Sequence, residues 1–207
     1  MGAALGLWIS GNPMLDKSAQ TGRAPLEDRK DDLYETPPEA VRALLTVEQI
    51  PTGAVWEPAC GPGSIARVLR AAGHRVYATD LVDYESPDQD AARIDFLMEQ
   101  QAPDFHVGSI ITNPPYKLAG HFVRHALLLA PRVMMLLRLA FLESESRSSI
   151  LDGGQLARVY VFRNRLPMMH RDGWEGKKST NSMAFAWFCW DRLHSGPTEL
   201  HRISWNP

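Results

Sequence analysis

Apolar runs alternate with amphipathic stretches from Leu33 onward. Thr36-Pro37-Pro38-Glu39 combines an N-cap threonine, a first-turn proline and an early acid. It predicts a helix through Ala40, Val41, Leu44 and Leu45. Ala54 to Ala59 reads as a strand, and Ser64 to Ala72 as a helix stopped by Gly73. Arg75 to Leu81 is a second strand, Arg93 to Leu97 a short third and Ser109 to Asn113 a fourth. Leu118 to Ala130 sets Leu118, Phe122, Ala126 and Leu127 on one helical face, and Arg132 to Phe141 follows as a fifth strand. That alternation predicts an α/β domain with a mostly parallel sheet and helices on both faces. Beyond Gly154 the rhythm changes. Arg158 to Asn164 and Met183 to Trp190 read as a terminal antiparallel pair. The polar segment joining them, Leu166 to Ser182, is long for a structureless connection, and such loops are often functional. Met1 to Asp32 has no periodicity and reads as a flexible tail ahead of a single domain over 33–207.

Composition narrows the class. Hydrophobic residues make up 44% and charged residues 22%, so the chain can bury a sizeable core. The net charge of -2 means that any nucleic-acid partner must meet a local basic patch. Two cysteines, Cys60 and Cys189, provide no disulfide framework and fit a reducing, cytoplasmic setting. The opening MGAALGLWIS lacks a basic leading region and is cut by Asn12-Pro13, so a signal peptide is not expected. The longest apolar run, Val133 to Leu142, is broken by Arg138, and no membrane partner is expected. His121 and His125 stand one helical turn apart without a third ligand nearby. They read as a helix-surface pair, and no metal site is expected.

Two segments carry chemistry. In the first, Val55-Trp56-Glu57-Pro58-Ala59-Cys60-Gly61-Pro62-Gly63-Ser64 runs from strand through a Gly-rich turn into a helix. In an open parallel sheet, ligands bind outside the carboxyl ends of the strands. Gly61 and Gly63 let the backbone turn and approach a ligand closely. Glu57 would repel a pyrophosphate and suits a cationic group such as an amine. Asp80 lies about 20 residues on, the usual spacing for an acid that holds ribose hydroxyls. A ligand with ribose and amine but no phosphate describes S-adenosyl-L-methionine. The bland alternative is an ordinary turn with Asp80 capping the next loop.

The second segment, Asn113-Pro114-Pro115-Tyr116, follows a strand and so lies at the same kind of edge. Two prolines stiffen the loop, which would aim the Asn113 side chain and the Pro114 carbonyl at one point. Both are acceptors, and both could take hydrogens of one –NH2 group. An aromatic amine is a poor nucleophile because its lone pair is delocalised into the ring. Two acceptors favour a more tetrahedral nitrogen, and alignment and preorganised polarity are large catalytic terms. Tyr116 could stack on the base, and a target inside a duplex must first leave its stack. Taken alone, the four residues could also be a rigid surface turn.

At these residues the sequence resembles the class I S-adenosylmethionine-dependent amino-methyltransferases, most of all the gamma-ordered DNA adenine-N6 enzymes of small phage and prophage type. The matching pieces are Tyr34-Glu35-Thr36-Pro37-Pro38, Glu57-Pro58-Ala59-Cys60-Gly61-Pro62-Gly63, Thr79-Asp80, Asp95-Phe96-Leu97 and Asn113-Pro114-Pro115-Tyr116, spanning Leu33 to Phe141. The resemblance implies a Rossmann-like, seven-stranded sheet ending in an antiparallel hairpin. It implies Tyr34, Thr36 and Pro37 at the methionine end of the cofactor, Glu57, Pro58, Ala59, Gly61 and Gly63 around its methionine portion, and Asp80 on the ribose. Leu81, Asp95 and Phe96 would border its adenine. Asn113, Pro114, Pro115 and Tyr116 would form the catalytic loop. The substrate implied is N6 of adenine in DNA. RNA adenine, a protein glutamine amide, or a non-catalytic subunit are the alternatives. Too few residues remain for a separate target-recognition domain, which leaves room for a homodimer or a partner that supplies specificity.

Arg158, Arg163, Arg165, Arg171, Lys177 and Lys178 crowd one stretch with only Asp172 and Glu175 as acids, and His170 and Trp174 add rings. Arg163, Arg165, Arg171, Trp174, Lys177 and Lys178 are therefore candidate nucleic-acid contacts, combining phosphate binding with base stacking. Trp187 and Trp190 on a strand read as packing. Arg138 within a strand could reach the carboxyl edge or pair with Glu143, and pairing is the preferred reading.

Overall fold

The computed structural model describes residues 34–103, 105–168 and 183–206. Among these, seven strands are found: β1 (Ala54–Glu57), β2 (Val76–Ala78), β3 (Val107–Thr112), β4 (Arg132–Arg138), β5 (Leu156–Phe162), β6 (Phe185–Asp191) and β7 (Glu199–Ile203). They join in one sheet of order β2-β1-β3-β4-β6-β5-β7. β2, β1, β3 and β4 run parallel, β6 is antiparallel to both β4 and β5, and β7 pairs parallel with β5. The helices are α1 (Pro38–Leu45), α2 (Ser64–Ala71), α3 (Ala119–Leu129) and the short α4 (Ser148–Leu151).

Period-two alternation sorts the central strands between two cores, because successive side chains point to opposite faces. Trp56, Ile110, Val133, Met135, Leu137, Phe188 and Trp190 pack on one face with Phe122, Val123 and Ala126 of α3. Val55, Ile111, Met134, Leu136, Trp187 and Cys189 pack on the other with Ala40, Val41 and Leu44 of α1 and Ile65 and Leu69 of α2. Trp187 donates its indole N–H to the Ala40 carbonyl (2.9 Å) and Trp190 to that of Ile150 (2.7 Å), so each tryptophan ties a helix to the sheet. Burying one such large apolar side chain stabilises the fold by roughly 1.5–3 kcal/mol.

β1 has β2 on one side and β3 on the other. The helix after β1 covers one face and the helix after β3 the opposite face. The connections therefore part at the carboxyl ends of β1 and β3, and that split is where open α/β sheets leave a ligand crevice.

Four sequence expectations are corrected. Residues 93–97 form no strand: Arg93 has φ +63°, and Asp95 caps a 3-10 turn over Phe96–Met98 by accepting from the Leu97 N–H (3.1 Å). A lone Thr79–Ala91 bridge occupies the edge beyond β2. Thr36 is not the N-cap of α1; Pro37 is, with ψ 135°, because its carbonyl already accepts from Ala40 (2.9 Å). β4 ends at Arg138, where the chain tightens into a 3-10 turn over Leu139–Leu142. Finally, β7 is a strand the apolar pattern does not show, since only Ile203 in it is buried. The expected tail over residues 1–32 lies outside the described residues.

Candidate functional site

The turn after β1 is built on two left-handed residues, Gly61 (φ +53°) and Gly63 (φ +90°). A Cβ at Gly63 would stand 2.3 Å from that of Asp88, so this position needs glycine for both conformation and space. The 82–92 segment lies across the turn. Ser86 donates to the Pro62 carbonyl (2.8 Å), and Arg67 and Arg70 of α2 hold Asp88 and Asp90. Asp80, beyond β2, accepts from the Gly61 N–H through Oδ2 (2.8 Å) and from the Val82 N–H through Oδ1 (2.9 Å). The predicted ribose-holding acid thus sits directly against the glycine turn. Leu81 beside it is 61% exposed, available to cover a flat ligand.

Glu57 ends β1 and is 1% exposed. Its Oε2 has no hydrogen-bond partner. Burial is the main reason its pKa stands well above the ordinary carboxylate value. The Ala66 N–H and Arg70 pull it down, while Asp80 and Asp88 push it further up. A cation brought against Oε2 would reverse that balance. Pro58, Gly61 and Gly63 are buried in the turn and Ala59 is half-buried. Asp95 is exposed, and the Phe96 ring is buried edge-on to Trp56 (5.2 Å between centroids). That places Phe96 in the core beneath the carboxyl ends of β1 and β2.

The second loop leaves β3. The Asn113 Nδ2 donates to the Tyr34 carbonyl (2.8 Å), and its Oδ1 is buried without a partner. The next residue, Glu35, accepts from the hydroxyl of Ser64 at the start of α2. Two consecutive residues therefore tie the Asn113 loop to the end of the glycine turn. This juxtaposition links the two segments singled out in the sequence, and Thr36 and Pro37 are buried immediately behind it. Pro114 is buried, and Pro115 and Tyr116 are half-buried. The Tyr116 ring lies 5.1 Å from Tyr34 and 5.7 Å from Phe185.

The wall on the far side comes from β5 and β6. Leu166 and Met168 are buried in the same apolar cluster as Tyr34 and Tyr116, and Arg163 and Arg165 near them in the chain are exposed. Arg171, Trp174, Lys177 and Lys178 lie outside the described residues. Arg158, counted in the same basic stretch, is not a surface cation. With Arg132 and the Tyr160 hydroxyl it surrounds the buried carboxylate of Glu48. Arg138 does not pair with the exposed Glu143; its guanidinium lies over the Tyr116 ring, 4.4 Å from the centroid. Glu35 and Phe185 were missed by sequence reasoning. Only the register of β6 against β4 could have flagged Phe185, which faces Arg138. Among the described residues no group of three His, Cys, Asp or Glu side chains could hold a metal ion, and no helix is long and apolar enough to cross a membrane.

No protein-family model and no curated protein sequence matches the chain. Solved structures do match. A protein described as a modification subunit of a type I restriction enzyme from Vibrio vulnificus superposes with TM-score 0.57 at 14% identity, covering 85% of this chain and 48% of that one. A protein described as an RNA methyltransferase from Pyrococcus horikoshii gives 0.58 at 13% identity, covering 82% of this chain and 90% of that one. A dimethyladenosine transferase from Plasmodium falciparum gives 0.52 at 13%, covering 77% and 63%. The chain thus spans about half the length of the Vibrio subunit. At these identities the likeness concerns the fold, which is the Rossmann-like fold of the class I methyltransferases.

Proposed function

We propose that this chain is an S-adenosyl-L-methionine-dependent methyltransferase acting on an exocyclic amine, N6 of adenine in DNA. The observation that carries this reading is the buried, unpartnered Asn113 Oδ1, held in place by the Asn113–Tyr34 hydrogen bond beside the Gly61–Asp80 turn. A buried acceptor left without a donor costs about 1–3 kcal/mol, a cost that a ligand amine would relieve.

The cradle fits the cofactor. Glu57 Oε2 is a second buried oxygen without a donor and suits the α-amino group. Ala59, Gly61 and Pro58 would line the methionine portion with Tyr34, Thr36 and Pro37. Asp80 would hold the ribose, and Leu81 and Asp95 would border the adenine, with the Phe96 ring packed in the core beneath them. The bound cofactor supplies an electrophilic methyl group. The work of the chain is then to bring an amine into line with it. Asn113 Oδ1 and the Pro114 carbonyl accept the amine hydrogens, Tyr116 flanks the base, and preorganisation of these acceptors lowers the barrier. The exposed Arg163 and Arg165 would supply positive charge for phosphates.

DNA is favoured by the likeness of Tyr34 to Pro38 to the segment that precedes the cradle in gamma-ordered enzymes, and by the Vibrio modification subunit among the similar structures. The dimethyladenosine transferase among the similar structures is in keeping with a methyl transfer to adenosine, and the protein described as an RNA methyltransferase keeps RNA as the alternative substrate. Asn113→Ala tests the reading. Removing one preorganised polar group costs roughly 10²–10³ in kcat, while S-adenosylhomocysteine binding should stay within about threefold. A variant that transfers methyl groups at the wild-type rate would rule out the role given to Asn113.

A further inference from the structure

Arg138 is the last residue of β4 and stands opposite Phe185 in the antiparallel register. Its guanidinium covers the Tyr116 ring, and its Nε is buried without a hydrogen-bond partner. Arg147 shares part of this pattern, lying over the Phe141 ring with its Nε unpartnered, but it donates to the Ala140 carbonyl, and Arg124 donates to the Gly120 and Ser146 carbonyls. The remaining partly buried arginines are paired with acids. Arg70 meets Asp88 and Asp90, Arg132 meets Glu48 and Asp191, and Arg158 meets Glu48. No carboxylate among the described residues pairs with Arg138. A guanidinium stays charged at any working pH, and a partly buried cation without an anion is costly. An anionic group of a ligand would supply the missing partner.

We propose that Arg138 binds a backbone phosphate of the target nucleic acid, beside the nucleotide whose base is held at Asn113. The inference rests on the nucleic-acid reading above and adds a phosphodiester contact at a named residue. The planar guanidinium matches a phosphate in two parallel hydrogen bonds. Stacking on Tyr116 fixes its plane beforehand, so little freedom is lost on binding. The same ring then meets both the base and, through Arg138, the strand that carries it.

The test is the salt dependence of binding to a fluorescein-labelled, mixed-sequence DNA duplex with S-adenosylhomocysteine present, and to single-stranded RNA of the same sequence. Wild type is compared with Arg138→Ala, Arg138→Gln and Arg138→Lys. Arg75→Ala, an exposed arginine at the opposite edge of the sheet, serves as the control. Loss of one phosphate contact makes the slope of log K against log salt shallower by about 0.9 for duplex or about 0.7 for single strand. Ala and Gln should both show it, Lys should restore the slope, and Arg75→Ala should leave it unchanged. Gln keeps the stem over Tyr116, so it reports even if Ala disturbs the fold. A wild-type slope in both neutral variants overturns the Arg138 proposal alone. Weaker S-adenosylhomocysteine binding in those variants, with the slope unchanged, would assign the missing anion to the cofactor carboxylate and also overturn it. If wild type binds neither nucleic acid, the functional reading falls and this inference with it.

Discussion

Replacing Glu57 by glutamine removes a charge while nearly preserving the shape of a side chain that is 1% exposed. In the free protein its burial holds the carboxyl pKa well above the ordinary value of 4.5. The charged form is therefore disfavoured by the fold. Its stability penalty is absent below the unfolded-state value and grows as pH rises toward the folded one, so wild type loses stability across that window and Glu57→Gln does not. Cofactor binding carries the opposite requirement. A cationic amine against Oε2 needs the carboxylate, so binding releases a proton and wild-type affinity rises with pH by up to about tenfold per unit. A hydrogen bond to a charged group contributes about 1.5–3 kcal/mol, which corresponds to a roughly 10- to 150-fold weaker Kd in the glutamine variant. Calorimetric titration with S-adenosylhomocysteine, repeated in buffers of different ionisation enthalpy, reads both affinity and proton release. Wild-type affinity and proton release in Glu57→Gln would refute the placing of the amine at this oxygen.

Two further outcomes test the frame around the site. Gly63→Ala and Gly73→Ala share a φ of +90°, but only the former meets an obstacle, the Asp88 Cβ at 2.3 Å. Both should lose roughly 1–2 kcal/mol in urea denaturation from left-handed strain. Gly63→Ala should lose about 1–3 kcal/mol more from the clash; equal losses would show that the 82–92 segment yields without cost. Glu48→Ala strands Arg158 and removes one of the two partners of Arg132, so a loss of roughly 3–5 kcal/mol is expected from denaturant midpoints. Burial alone would raise the Glu48 pKa, but hydrogen bonds from Arg158, Arg132 and Tyr160 outweigh it and hold it low. Its contribution is thus present above about pH 4.5 and lost as pH falls through the folded value, and Glu48→Gln should flatten that acid limb.

Local rules made much of this fold legible. The strands at Ala54 and Ser109, the helices at Ser64 and Leu118, and the two tryptophan-bearing faces all follow from apolar spacing, because their elements are buried in the sheet or amphipathic against it. Edges escaped that logic. Glu199 to Leu200 and His201 to Arg202 are exposed, so β7 shows no apolar alternation and is defined by its pairing with β5. Residues 93–97 look like a strand by composition, yet Arg93 is left-handed and Asp95 turns its carboxylate back onto Leu97. The two site segments were recognisable because their glycines and prolines constrain the backbone locally. Their joining by Tyr34 and Glu35 was not, since hydrogen bonds across 79 and 29 residues leave no local trace. Arg138 was misread for the same reason. Glu143 is near in sequence, but the 3-10 turn after β4 carries it to the surface while Tyr116 comes up from β3.

The most direct measurement gives the protein methyl-labelled S-adenosylmethionine together with DNA, RNA and protein in separate reactions, then digests the labelled pool and separates its nucleosides. Label should enter DNA and co-migrate with N6-methyladenine, and Asn113→Ala should slow its entry by roughly 10²–10³. Label confined to protein would contradict the nucleic-acid assignment, and label on a carbon of the base would contradict the amine-directed site described above.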